Sequence, residues 1–392
     1  MASLLAIIFW LSGLLLFWTY FGYPALMAVW ARLMPRPIVR DNALTPTLTI
    51  LIPAYNEADV IRRKLENTVS LDYPKDKLQI LVIDDSSTDG TPDIVREFAT
   101  RGVTLIQQPK RGGKMGGVNR GFEDATGEIV VLSDASPDYD KESLQLLARN
   151  FADPTVGVVV GALRVWDADN AVAKPAGMYW KYESALRKWE SATGSTVAVH
   201  GNMFAVRRRL YKPLRQHTIN DEFSIAMEVM RQGYRVVYEP KAISYDLASA
   251  SMGDEFKRRA RINAGRFQAL FSAGYLNAPT PDLQFRLFSH KLLRPLTPVL
   301  MLLAFVSNLL LVVLGIFGLL NMPIGFWLLA LFGQLGFYGA AYLGYLAEKN
   351  GKPNKILSIP YFFVSSNLAA LVGLWRWIRN SQAVTWQKRA SE

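Results

Sequence analysis

Residues 79–91 read QILVIDDSSTDGT: an apolar run from Ile80 to Ile83, two adjacent carboxylates at Asp84 and Asp85, then a turn-forming tail. A run without polar alternation predicts a strand covered on both faces, and acids directly beyond it stand at the strand's carboxyl end. Residues 130–140, VVLSDASPDYD, repeat the arrangement with Asp134. Working outward, strands are predicted at Leu48–Ile52, Gln79–Ile83, Val103–Ile106, Glu128–Leu132 and Val156–Val160. Helices fit between them at Glu57–Val69, Pro92–Thr100, Lys114–Ala125 and Lys141–Phe151. This alternation predicts an α/β, Rossmann-like, mostly parallel sheet with helices on both faces, whose ligands lie outside the carboxyl ends of the strands.

Four loops should meet on that rim: Pro53 to Glu57, Asp84 to Ser87, Lys110 to Lys114 and Asp134 to Ser136. Carboxylates, a Gly-rich basic loop and a polar turn suit a nucleotide, with Asp for ribose or base edges, Lys for phosphate and Asp for a metal bridging two phosphates. Ser86 to Gly90 also reads as a turn and N-cap. GGKMGG at 112–117 is neither a P-loop nor a dinucleotide fingerprint, since Met115 follows Lys114 and the glycine spacing differs.

Further along, Asn220, Asp221 and Glu222 open a helical stretch ending at Gly233. Either the acids serve the helix start, or the pair includes a general base. Met178 to Tyr182 with Trp189 reads as an amphipathic helix whose aromatics belong to the core, with Trp180 as a candidate sugar platform. In KRRAR at 257–261, Arg258, Arg261 and Gly265 share a helical face. Two cations and a gap there suit an approaching ligand or a solvated basic face.

The chain has 392 residues, 50% of them hydrophobic, which is too apolar for a wholly soluble protein. Four stretches approach or exceed the length needed to cross a bilayer: Leu4 to Val29, Leu296 to Leu320, Ile324 to Leu346 and Ile356 to Ile378. The first lacks a basic start and runs into Pro24, so it reads as a retained anchor rather than a cleaved signal. Arg32, Arg36 and Arg40 follow it and put the next domain in the cytoplasm by the positive-inside rule. Three full C-terminal spans would leave Arg379, Lys388 and Arg389 outside against that rule, so the last segment either re-enters, lies in the interface or breaks it. Residues 281–295 place Phe285, Phe288 and Leu292 on one face and Arg286, His290 and Arg294 on the other, the pattern of a helix in the headgroup plane or of a soluble surface helix, with His290 as a headgroup contact or solvated residue rather than a metal ligand. Predicted boundaries are therefore 1–33 anchor, 45–275 soluble domain, 281–295 interface helix, 296–378 membrane helices and 379–392 tail.

Net charge is +11, and the matching partners are anionic membrane lipids and nucleotide phosphates. No basic stripe interleaved with aromatics suggests a nucleic acid partner. With no Cys and three His, any metal is expected to be oxygen-bound Mg2+ or Mn2+.

PAYNEA (53–58), VIDDSSTDGT (82–91), Gly113-Lys114 with Asn119-Arg120-Gly121, SDAS (133–136), Asp221-Glu222-Phe223 before GYRVVYEP, and RRARI (258–262) together resemble the membrane-integrated family 2 glycosyltransferases of GT-A fold. The relatives are cellulose-synthase-like and hyaluronan-synthase-like enzymes, and the likeness runs from about Thr47 to Gln268. It implies that Asp85 contacts uridine and ribose, with Asp84, Tyr55 and Glu57 in the same pocket, and that Lys114 meets the diphosphate. It implies that Asp134 binds a divalent cation, that Glu222, or Asp221 in its place, is the base for an inverting attack, and that Arg258 and Arg261 lie near diphosphate and acceptor. Three positions depart from the pattern: Asp-Ala-Ser replaces Asp-x-Asp, so Ser136 or water must stand for the second carboxylate; the acid pair is Asp-Glu; and the QxxRW motif lacks Gln and Trp. Trp386 resembles the Trp of a terminal gating segment.

The expectation is a multi-pass enzyme of the inner cell membrane, moving sugar from a nucleotide-sugar donor, UDP-linked, to a glycan or lipid-linked acceptor in polysaccharide biosynthesis. A polyprenyl-phosphate sugar transferase and a non-catalytic nucleotide-sensing membrane subunit are the alternatives.

Overall fold

A computed structural model describes residues 1–166, 173–247, 251–319, 323–352 and 354–382. The chain opens with one long helix, Ala2–Leu33, made of α1 (Ala2–Phe17) and α2 (Tyr23–Leu33). The α/β part follows: β1 (Leu48–Ala54), α3 (Ala58–Val69), β2 (Leu78–Asp84), α4 (Thr91–Arg96), β3 (Val103–Gln107), α5 (Gly113–Asp124), β4 (Ile129–Leu132), β5 (Asp138–Tyr139), α6 (Ser143–Ala148), β6 (Val156–Trp166), α7 (Ala173–Ala192), β7 (Phe204–Arg207), α8 (Asp221–Arg231), β8 (Arg235–Leu247) and α9 (Met252–Phe267). Then come α10 (Pro281–Arg286) and α11 (Leu293–Ile316), joined into one helix Pro281–Ile316, followed by α12 (Ile324–Lys349) and α13 (Ser358–Ile378).

The strands form one sheet in the order β3-β2-β1-β4-β7-β6-β8-β5. β3, β2, β1 and β4 are parallel, which puts Ala54 level with Asp84 and Asp84 level with Gln107. Successive residues of β1 and β2 go to opposite faces: Leu51, Leu81 and Ile83 join one core with α5 and α8, while Ile50, Ile52, Ile80 and Val82 join another with α3, α4 and α6. That two-sided burial is why these strands read as unbroken apolar runs.

The sheet is mostly parallel, as predicted, and its antiparallel pairs all involve β7 or β5. β7 runs antiparallel to both β4 and β6, β8 is parallel to β6, and β5 closes the edge antiparallel to β8. β7 has four residues, and β8 carries Pro240 where its pairing with β6 shifts register between Val160 and Ala162, so neither presents a clean strand period.

Four helices, Ala2–Leu33, Pro281–Ile316, Ile324–Lys349 and Ser358–Ile378, are long and apolar enough to cross a membrane. The interface helix expected at 281–295 is the first part of the longer helix Pro281–Ile316, and Arg286 and His290 on its polar side are buried in the protein. Arg286 is fully buried; its Nε donates to Asp282 at 2.9 Å and its Nη1 to the Glu190 carbonyl at 3.0 Å. His290 lies between Glu190 Oε1 at 2.7 Å and Glu183 Oε1 at 3.1 Å, and Arg294 pairs with Glu183. The acids come from α7, about a hundred residues upstream, so the buried polar side of this helix packs on side chains that its own sequence does not supply. The N-terminal helix docks on the same acids, with the Tyr23 hydroxyl donating to Glu190 Oε1 at 2.5 Å.

Candidate active site

The loop after β4 is held from below by α3. Arg63 Nη2 donates to the Ser136 carbonyl at 2.8 Å, buried Lys64 donates to the Pro137 carbonyl at 2.7 Å, and Asn67 brackets Tyr139. This fixes Asp134 on the rim. Ser136 donates to Asp246 Oδ1 at 3.2 Å and Asn202 Nδ2 to Asp246 Oδ2 at 3.0 Å, so an acid from β8 stands beside the Asp-Ala-Ser turn. Nothing in the motif spacing pointed to Asp246.

Asp134, Asp221 and Glu222 converge on one cation. The Lys114 ammonium lies 2.9 Å from Asp134, 3.1 Å from Asp221 and 2.7 Å from Glu222. Lys114 comes from the first turn of α5, and Asp221 and Glu222 from the first turn of α8, where carboxylates are favoured by the exposed amides. These residues, with Pro53, Ser133 and Gly201, line a narrow cleft. Burial, then the neighbouring Asp221 charge, push the Glu222 carboxyl up to about 8. Lys114 is held well above its usual range because three carboxylates outweigh its burial. Gly201 makes this packing feasible: a Cβ there would fall 1.9 Å from Glu222 Oε1.

Asp84 and Asp85 lie at the next strand end, both buried. Asp85 Oδ1 accepts from Gln108 Nε2 at 2.9 Å and the Gly112 amide at 2.6 Å, and Oδ2 accepts from the Gly113 amide at 2.8 Å. Asp85 thus fastens the basic loop to β2, and burial raises its carboxyl against the opposing pull of those amides. Asp84 Oδ2 accepts from the Ser87 amide at 3.3 Å. The Ser86–Gly90 turn staples the β1 loop: Ser87 Oγ accepts from the Asn56 amide, Thr91 Oγ1 from the Glu57 amide and Asp89 from the Ala58 amide, all within 3.0 Å. Tyr55 sits beneath the Arg111 guanidinium at 3.7 Å, and Glu57 is half-buried at the start of α3.

Arg258 binds Glu255 through Nε and Nη2, both at 2.9 Å, and Arg261 is exposed. The gap expected at Gly265 is filled by Asn220 and Ile219, whose atoms would lie 2.7 Å from an added Cβ; Asn220 there donates to the Ile262 carbonyl rather than capping α8. Trp180 is half-buried, 5.9 Å from the His200 ring. Trp386 lies outside the described residues.

Three acids drawn around one ammonium show that the cleft has the charge to hold a cation. Among the described residues no three His or acidic side chains are grouped as a metal cage. Asp134 on the rim therefore fits an ion carried mainly by phosphate oxygens and water, as Mg2+ and Mn2+ are.

Residues 49–215 match the family described as Glycosyl transferase family 2. The chain carries a family 2 glycosyltransferase domain. It is 29% identical over 234 residues to Probable glycosyltransferase YdaM of Bacillus subtilis (strain 168), covering 56% of this chain and 55% of that protein. It is 24% identical over 229 residues to the poly-beta-1,6-N-acetyl-D-glucosamine synthase of Staphylococcus aureus (strain MSSA476), covering 57% and 55%. The chain spans about half the length of these curated relatives. The solved mannosyltransferase PcManGT from Pyrobaculum calidifontis, in complex with GDP-Man and Mn2+, superposes with TM-score 0.70 at 26% identity, over 95% of this chain and 98% of that one. The family 2 domain thus sits on a GT-A-like sheet accompanied by helices of membrane-spanning length.

Proposed function

We propose that the protein is an inverting glycosyltransferase that moves a sugar from a nucleotide-diphosphate sugar to a glycan or lipid-linked acceptor at a membrane, in polysaccharide assembly. The observation that carries the reading is the junction of Lys114 with Asp134, Asp221 and Glu222 at the carboxyl ends of the sheet. Glu222, the acid with the raised carboxyl, takes the acceptor hydroxyl proton. Asp221 holds Lys114 and Glu222 in place. Asp134 and Lys114 face the donor diphosphate; a divalent ion held by Asp134 would offset the charge on the departing nucleotide. Asp84, Asp85, Tyr55 and Glu57 line the nucleoside side, and Asp85 receives the ribose once the Gly112–Gly113 loop gives way.

The resemblance favours a UDP-sugar. A GDP-linked donor is the second reading, because PcManGT, with a similar fold over nearly its whole length, is in complex with GDP-Man. Basic Arg32, Arg36 and Arg40 after the first helix support a cytoplasmic catalytic domain by the positive-inside rule. Membranes holding the protein, given Mn2+ and a panel of UDP- and GDP-sugars, test all of this by nucleotide release and product mass. Release from one donor supports the enzyme; no release from any donor refutes it in favour of a nucleotide sensor.

A further inference from the structure

Where α7 meets Pro281–Ile316 and the N-terminal helix, the protein buries more positive charge than it balances. Arg187 is 3% exposed; its Nη2 comes within 3.9 Å of Glu183 Oε1, while Nε and Nη1 have no hydrogen-bond acceptor among the described residues. Arg294 pairs with Glu183 Oε2 through Nη1, leaving Nε and Nη2 buried and likewise without an acceptor there. Lys291, 8% exposed, holds its ammonium 5.4 Å over the Phe223 ring and has no carboxylate partner among the described residues. Arg266 donates to Asn263 Oδ1 at 3.2 Å and also lacks a carboxylate there. Glu190 is taken by Tyr23, Thr196 and His290, so these four cations share Glu183.

Uncompensated cations away from water are costly, and unused guanidinium N–H groups are the donors that match phosphate oxygens. The surplus is felt nearby: burial, followed by the Arg187 charge, depresses the His200 imidazole to about 3. On one side the cluster borders the acid cleft, since Phe223 follows Glu222 and His200 precedes Gly201. On the other it borders the apolar helices. Arg294 is the last charged residue before the uncharged stretch 295–347, and the Tyr20 hydroxyl of the N-terminal helix donates to Thr297 Oγ1 at 3.3 Å just beyond it. An anion seated here would have a reactive cleft at its head and lipid at its tail.

We propose that Arg187, Arg266, Lys291 and Arg294 seat the phosphate of a lipid-linked acceptor whose sugar hydroxyl reaches Glu222, an inference that rests on the glycosyltransferase reading above. The test uses the full chain in phosphatidylcholine nanodiscs, titrated separately with polyprenyl monophosphate, phosphatidylglycerol and inorganic phosphate, with lipid affinity, unfolding midpoint and donor KM measured. Polyprenyl monophosphate should saturate at low mole fraction and raise the midpoint. Lys291→Gln and Arg266→Gln should each weaken it about tenfold or more with donor KM unchanged, and without lipid should keep or raise the midpoint, because each removes a buried or half-buried cation that has no carboxylate partner among the described residues. Equal binding of phosphatidylglycerol would overturn the proposal in favour of a bulk headgroup site, and saturation by inorganic phosphate alone would overturn the lipid assignment. Unchanged lipid affinity in both variants, or a fall in their lipid-free midpoints, would mark the cations as structural and overturn it too. Lipid saturation without nucleotide release from any donor would keep the phosphate seat and refute the catalytic reading instead.

Discussion

Gly201→Ala tests the assignment of Glu222 more sharply than removing Glu222 itself. An added Cβ would lie 1.9 Å from Glu222 Oε1 and 2.7 Å from its Cδ, while a Cβ contact under 3.0 Å is essentially never seen. The carboxylate must therefore retreat by at least about 1 Å, a displacement that can cost about 10²-fold in rate, or about 2.7 kcal/mol of barrier. The obstacle is the end of a side chain and Gly201 is outside the left-handed region, so alanine should cost less than the ~1–3 kcal/mol of ordinary overpacking. The expected signature is lost turnover with a nearly unchanged unfolding midpoint. Glu222→Asp draws the carboxylate back by one methylene, so in Gly201→Ala/Glu222→Asp the two losses should fall short of additive by about 1 kcal/mol. The assay is nucleotide release from the active donor with acceptor present. Turnover of Gly201→Ala within threefold of the parent would refute the argument, since the acid would then be displaced without consequence.

A base whose carboxyl stands at about 8 is protonated, and idle, below that pH; kcat/KM should therefore fall roughly tenfold per pH unit below about 8, and a flat profile from pH 6 to 9 would exclude Glu222. Asp134→Asn should lower turnover about 10²–10³-fold with the fold intact, and an unchanged rate at saturating Mn2+ would rule out its part in holding the ion. Asp85→Ala strands the Gly112 and Gly113 amides, so stability should drop by about 1–3 kcal/mol and donor KM should rise; thermal melts and donor titration check both. Glu190→Ala leaves His290 and Tyr23 without their shared partner and should cost about 3–5 kcal/mol in denaturant unfolding.

What the sequence made legible was local. Ile80 to Ile83 predicted a two-faced strand because each residue fills one of two cores, and the acids beyond it were placed by chain continuity alone. Asp221 and Glu222 were recognisable as the start of a helix. The misreadings came from distant partners. Arg286, His290 and Arg294 recur every fourth residue as a solvated stripe would, and their burial depends on Glu183 and Glu190, whose positions a helical period cannot reveal. Gly265 read as a gap for ligand because Asn220, which fills it, is far away in sequence. Asp246 and Gly201 carried no motif at all: one reaches the rim from the far end of β8, and the other matters only for the atom that Cβ would strike.

Asp85 and Lys114 form one device rather than two contacts. Asp85 holds the amides of Gly112 and Gly113, and the next residue carries the ammonium that balances Asp134, Asp221 and Glu222. Burial, and after it the Asp221 charge, is why Glu222 retains a proton, and an unpartnered Lys114 would be costly on both sides. Loosening the Gly112–Gly113 loop at the nucleoside end therefore bears directly on where the Lys114 charge rests at the acid end. Positive charge near Glu222 favours its ionised form, so under the proposed reading a base at Glu222 would be governed by the occupant of the position Lys114 holds here, and donor binding at β2 would be coupled to α8 through one turn of α5.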